Sequence, residues 1–262
     1  MRNLTFFSVE SNVLSGSAVV DLVGLNQLRS YRVSLNRFTG PINASIGSLP
    51  SLQELWMTDN QLTGSIPSSI GQLASLQSLY LYSNQLAGTI PDVFGGLNLT
   101  QVQLHQNSLA GPIPESLFDN TGLTLLRLDQ NQLTGTLSGN ISKVTGLQDF
   151  RVSENFLVGT LPASLNSLSG LGRLISTFSH IKVLICASHI CHCFFLVNLL
   201  LNNNQFTGTI RDGFDQFESL TFADFKNNKF EGSLPASIFN IPTIRILYFN
   251  NNNLDGTIPL NY

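Results

Sequence analysis

Leu73–Gly96 reads LASLQSLYLYSNQLAGTIPDVFGG, and the rest of the chain repeats it. Leu76, Leu79, Leu81, Asn84, Leu86, Gly88, Ile90 and Pro91 spell Leu-x-x-Leu-x-Leu-x-x-Asn-x-Leu-x-Gly-x-Ile-Pro. The asparagine recurs as Asn12, Asn36, Asn60, Asn84, Asn107, Asn131, Asn155, Asn204, Asn228 and Asn252. The step is 24 residues almost everywhere, 23 between Asn84 and Asn107, and 49 between Asn155 and Asn204. A fixed period of this length is the signature of a solenoid.

The composition of one unit follows from what a coil has to do. Its Leu-x-Leu stretch alternates as a short strand, with the leucines pointing one way. The chain must then turn away and come back one strand-spacing further on, roughly 4.8 Å. Asparagine suits the exit corner because its amide both donates and accepts, and so serves backbone groups that no ladder reaches. Stacked coils are therefore expected to hold an internal asparagine ladder. Glycine four residues later (Gly16, Gly40, Gly64, Gly88, Gly111, Gly135, Gly159, Gly208, Gly232, Gly256) permits a tight backbone path. Proline at 67, 91, 114, 162, 235 and 259 suits an extended convex segment rather than a helix. No coil can bury its own leucines without neighbours.

This pattern resembles the plant-type leucine-rich-repeat family, whose hallmark is the Leu-x-Gly-x-Ile-Pro half of the unit. The resemblance covers practically the whole chain, with ten copies in register. It implies a repeat solenoid, a right-handed leucine-rich-repeat superhelix. A parallel β-sheet would line the concave face, with short 3-10 or extended segments on the convex face. Proteins with this repeat type include ectodomains of receptor kinases, receptor-like proteins and polygalacturonase-inhibiting proteins. By resemblance, then, an extracellular or cell-surface recognition module is expected. The paired cysteines that often cap such solenoids in that family are absent.

The unbroken repeat argues for one domain over residues 1–262, regular through 171, irregular over 172–196, and regular again over 197–262. Charged residues are only 11% and net charge is −3, which leaves no basic footprint for nucleic acid. The N-terminus begins inside a repeat, and Met1-Arg2-Asn3 is too short for an apolar targeting segment. The C-terminus stops in mid-repeat. The expectation is a fragment of a longer solenoid, or an incomplete gene model. Four sequons, at Asn3, Asn43, Asn98 and Asn140, lie off the strands where a glycan would be tolerated.

The stretch Gly172–Leu196 carries all three cysteines and three of the four histidines. Deleting its 25 residues cuts the step from Asn155 to Asn204 back to 24. An insertion into an intact repeat is the first reading, a retained intron being one origin. A degenerate coil is another, with Leu171, Leu174, Ile181 and Ile185 inward and Ser179 in place of asparagine, although Ser176 and Val183 fall where Leu and Gly belong. Cys186, His189, Cys191, His192 and Cys193 are soft metal ligands, but their spacing is not that of a zinc site. Val183–Leu201 is apolar enough for a membrane span, yet its last residues already belong to the next repeat, so no span is expected there. Beyond the insert, phenylalanine fills the inward column at 206, 225, 230 and 249.

No catalytic, cofactor or metal constellation is read. His105, the one histidine of the regular repeats, has no serine or cysteine nucleophile context. Asp59, Asp129, Asp149 and Glu154 are scattered, each facing out of a strand. The glycines are corners; they do not open helices as phosphate loops do. The informative surface is the outward side of the concave strands, two residues per repeat, four and two before the asparagine. Arg32, Trp56, Thr58, Tyr80, Tyr82, Gln103, His105, Arg127, Asp129 and Arg151 are the candidate ligand contacts. Buried aromatics and arginines carry disproportionate binding energy, roughly 2 kcal/mol or more at a hot spot. For any one of these residues alone, cross-strand stacking is the plainer account. The leading expectation is non-catalytic recognition of a protein, peptide or glycan. The rival is a structural cell-envelope protein with no discrete ligand site.

Overall fold

Asparagine at every corner makes a specific demand: each amide has to meet backbone groups of two coils. The computed structural model describes residues 3–18, 22, 24–160, 173–175, 179–182, 198–200, 202, 207–210, 212, 214–216 and 220–259. The demand is met at Asn36, Asn60, Asn84, Asn107, Asn131 and Asn252. Asn84 Nδ2 donates to Leu81 O (3.1 Å) and Tyr82 O (3.2 Å) of its own coil and to Met57 O (2.9 Å) of the coil before. Its Oδ1 accepts from Leu62 N of that same preceding coil at 3.0 Å. Asn36, Asn60, Asn107 and Asn131 repeat the pattern one coil at a time. Asn252 does so on Phe225 O and Phe230 N. Asn204 lies outside the described residues.

The chain divides into two compact units, Met1–Leu133 and Thr134–Tyr262. In the first, the strands Phe6–Ser8, Ser30–Arg32, Glu54–Trp56, Ser78–Tyr80, Gln101–Gln103 and Leu125–Arg127 pair in parallel, in chain order. The inward residues Leu55, Leu79, Val102 and Leu126 are fully buried, as are Met57, Leu81, Leu104 and Leu128 just beyond them. Each such side chain removed from water contributes about 1.5–3 kcal/mol. After the asparagine the chain adds a second run of short parallel strands, which the sequence suggested only as extended backbone. These are Ser15–Ser17, Arg37–Pro41 and Gln61–Thr63, then Ala87–Thr89, Ser108–Gly111 and Gln132–Leu133. The motif glycine sits inside this run with positive φ, +77° at Gly111, where a Cβ would come within 2.9 Å of Thr89.

On the back of each coil, proline marks the entry to a 3-10 turn. Pro67 and Pro114 are extended and cap Ser68–Gln72 and Glu115–Asp119, each offering its carbonyl to the residue three on. Where proline is missing, a side chain supplies the cap: Asn43 accepts from Ser45 N at 2.9 Å, and Ser138 from Asn140 N at 3.0 Å. The shorter coil between Asn84 and Asn107 has no 3-10 turn here; it keeps the Phe94–Leu97 turn, equivalent to Ile70–Leu73, and is one residue short between Leu97 and Leu99. Its strand and its asparagine keep their partners. A second buried amide, Asn120, works behind the sheet, accepting from Leu99 N (2.9 Å) and donating to Phe94 O (3.2 Å).

The second unit pairs Asp149–Arg151, Arg173–Ile175, Asn198–Leu200, Phe222–Asp224 and Ile246–Tyr248 in parallel. Its second run of parallel strands is Leu157–Thr160, Ser179–Lys182, Thr207–Thr209, Lys229–Gly232 and Asn253–Leu254. The backbone of the irregular stretch thus runs through both sheets: Leu174 is aligned with Phe150 and Leu199, and Ser179 with Leu157. The three cysteines, His189 and His192 lie outside the described residues, and the metal and membrane readings with them. Phe225 and Phe230 are fully buried, and Phe225 stacks on Phe249 with centroids 4.8 Å apart.

One corner escaped the sequence reading. The residue before each described ladder asparagine is left-handed, φ 52–59°, at Ser11, Leu35, Asp59, Ser83, Gln106, Gln130, Glu154, Asn227 and Asn251. Asp59 and Glu154 therefore stand on this corner and not on a strand face. Leu35 is the single bulky apolar residue in the set and is 52% exposed. Left-handed backbone costs an L-residue roughly 1–2 kcal/mol, least for asparagine. Leu35→Asn is accordingly expected to stabilise the chain by about 0.5–1 kcal/mol, read as a higher urea midpoint. Asn84→Ala strands Leu62 N and Met57 O, and is expected to cost about 2 kcal/mol in the same measurement.

Candidate recognition surface

Alternation along a strand turns every second residue outward, so each coil presents three outward positions and not two. The third, six residues before the asparagine, holds Phe6, Ser30, Glu54, Ser78, Gln101 and Leu125 in the first unit. It was missed although the same alternation predicts it.

Arg32, Trp56 and Tyr80 are successive register partners. The Arg32 guanidinium lies 3.7 Å over the Trp56 ring centroid, and Phe6 lies 5.3 Å from that same guanidinium. Tyr80 stacks on Trp56 with centroids 5.1 Å apart and planes at 17°. Both faces of the indole are thus occupied, and its edge is what remains. Tyr80 donates its hydroxyl to Gln101 Oε1, and burial raises its pKa. Trp56 Nε1–H is buried and meets no acceptor among the described residues.

Arg32 is held by Glu54. Glu54 Oε2 accepts from Arg32 Nη2 (2.7 Å), Arg32 Nε (3.2 Å) and Ser30 Oγ (2.7 Å). Burial works upward on this carboxyl, but the Ser30 and Arg32 hydrogen bonds and the Arg32 charge outweigh it and hold the pKa below its ordinary value.

The remaining candidates divide. Tyr82 stacks on His105, centroids 4.4 Å apart and planes at 14°. Gln103 and Arg127 are register partners, and Arg127 and Asp129 are half-buried on the same face. Thr58 is not surface: it is 4% exposed, and its N–H donates to Ser34 Oγ. In the second unit Arg151 makes a two-point bond to Asp149 of its own strand (2.8 and 3.0 Å). That unit also carries Lys226, 3.1 Å from the buried Asp224 and over the Tyr248 ring. Of the sequon asparagines, Asn3, Asn43 and Asn98 are exposed and Asn140 is half-buried, all away from the long-sheet strands.

The family profile for leucine-rich repeats in two copies matches residues 50–95. A plant ice-binding protein of known structure is 30% identical, with TM-score 0.70 over 85% of this chain and 71% of its own. The chain belongs to the leucine-rich-repeat family. The leucine-rich-repeat fold is shared with the plant peptide hormone receptor RGFR1, solved with RGF2: 29% identity, TM-score 0.77, over 94% of this chain and 43% of the receptor chain. It is shared too with the ectodomain of the Arabidopsis thaliana membrane receptor kinase GASSHO1/SCHENGEN3, solved with CASPARIAN STRIP INTEGRITY FACTOR 2. There the figures are 27% identity, TM-score 0.79, and 98% of this chain against 34% of that one. The chain therefore spans about a third to a half of these receptor chains. Sequence comparison with curated proteins returns no match. Among the described residues, no helix is long and apolar enough to cross a membrane.

A depressed carboxyl contributes stability that is full above its unfolded pKa and is lost as pH falls through the folded value. The stability difference between wild type and Glu54→Gln is therefore expected to stay constant from neutral pH down to about 4.5, the ordinary value, and to shrink only below it. Urea unfolding at stepped pH reads this directly.

Proposed function

We propose that this chain is a non-catalytic recognition module that takes a protein or peptide ligand on the long-sheet face, around Arg32, Trp56, Tyr80, Tyr82 and His105. The observation that carries the reading is the row Arg32–Trp56–Tyr80. Its side chains are already ordered, so they lose little further rotamer freedom when a ligand settles on them, and they are of the type that dominates interfaces. The same geometry argues against a glycan at Trp56, because sugar stacking needs an open ring face and both are filled. By their descriptions, the plant proteins that share the fold are a peptide hormone receptor and the ectodomain of a membrane receptor kinase, which supports an extracellular or cell-surface setting.

A structural role without a discrete ligand is the second reading. It is favoured by the way the aromatics already stack on one another across the strands.

Panning a displayed random peptide library against the chain separates the two. Selected peptides are expected to lose about thirty-fold in affinity for the Trp56→Ala/Tyr80→Ala double variant, the loss of one hot spot of about 2 kcal/mol, while far-UV circular dichroism is kept. Equal affinity for wild type and variant refutes the site. Inhibition of ice recrystallisation, unchanged in the same variant, would instead favour the activity named for the ice-binding relative.

A further inference from the structure

Glu54 is absent from the contacts expected by sequence, yet the Arg32–Trp56 contact depends on it. One carboxylate oxygen takes two donors from the guanidinium and one from Ser30. Arg32 Nε also donates to Ser30 Oγ at 3.1 Å, so Ser30, Arg32 and Glu54 close a small cycle across two strands. A long arginine side chain loses much rotamer freedom when laid flat on a ring, and cation–π attraction at a half-exposed site is modest. Among the described residues, Glu54 is the one carboxylate bonded to Arg32.

We propose that Glu54 is a positioning residue, whose charged carboxylate pins Arg32 flat on Trp56 and so keeps Arg32, Trp56 and Tyr80 as a single preformed contact row. The purpose of this arrangement rests on the recognition reading above; the pinning itself belongs to the free chain. With Glu54 neutral, the bonds from Arg32 Nη2 and Nε lose their charge assistance and the guanidinium leaves the ring for water, opening one face of the indole. The lowered pKa of Glu54 keeps it anionic well into mildly acidic solution.

Trp56 is the sole tryptophan of the chain, so tryptophan emission reports on this row and nothing else. The experiment measures acrylamide quenching of native protein for wild type, Glu54→Gln, Arg32→Met and the double variant. Glu54→Gln is expected to raise the quenching constant about two-fold, as when one covered ring face is opened. Arg32→Met is expected to do the same, and the double variant no more than Arg32→Met, since both changes act through one contact. A Glu54 that merely stabilises the sheet would lower the urea midpoint and leave quenching in the native state untouched. Wild-type quenching in Glu54→Gln, or a double variant equal to the sum of the singles, overturns the proposal. Should Glu54→Gln fail to fold, Glu54→Asp keeps the charge but withdraws it by one methylene. A partial rise is expected there, and a wild-type value counts against pinning. Peptides that ignore Trp56 and Tyr80 would defeat the recognition reading while leaving this result standing; unchanged quenching would do the reverse.

Discussion

The side-chain amide of the corner asparagine is the interaction on which the fold depends. A coil that turns out of a strand leaves carbonyls and N–H groups facing inward, where water does not reach. Burying such groups without partners costs about as much as each lost hydrogen bond, roughly 1–3 kcal/mol. Asn84 answers for four of them across two coils, through Leu81, Tyr82, Met57 and Leu62. Neither aspartate nor serine has both the two donors and the acceptor that this requires. The leucines then close the interior, but the amides set the pitch at which they meet.

Fixing the pitch also fixes the outer face. Side chains at equivalent positions stand one strand-spacing apart, close to the thickness at which flat groups stack. Arginine on tryptophan on tyrosine, and tyrosine on histidine, follow from that spacing once those residue types occupy one column. The row is ordered before any ligand arrives. Its hydrogen bonds are mostly spent internally, on Glu54, Ser30 and Gln101, so the ring edges are what a partner would meet.

Much of this was legible in the chain because its period is rigid. The asparagine rungs, the buried leucines and the phenylalanine replacements at 225 and 230 all follow from position within the repeat. What escaped was conformation that composition does not encode. The left-handed corner accepts Ser, Leu, Asp, Gln, Glu and Asn alike, so no residue type marks it. Asn120 looks like any loop asparagine, yet it is buried and bridges two coils. Thr58 sits in an outward register but lies below the surface, its N–H bonded to Ser34 Oγ. Glu54 is not among the sequence candidates because they begin one outward position, two residues, after the strand's start.

The coil between Asn84 and Asn107 is one residue shorter than the others, and the loss falls between Leu97 and Leu99, ahead of the strand, where Leu99 N turns to Asn120 Oδ1. Strand alignment on the front is untouched. Gains and losses of single residues are thereby filtered by location. The run-up to a strand can lengthen or shrink as the gene drifts, while the strand and the three residues up to its asparagine have to keep count. Variation in contour is thus available to this architecture without scrambling whatever the front has been selected to touch.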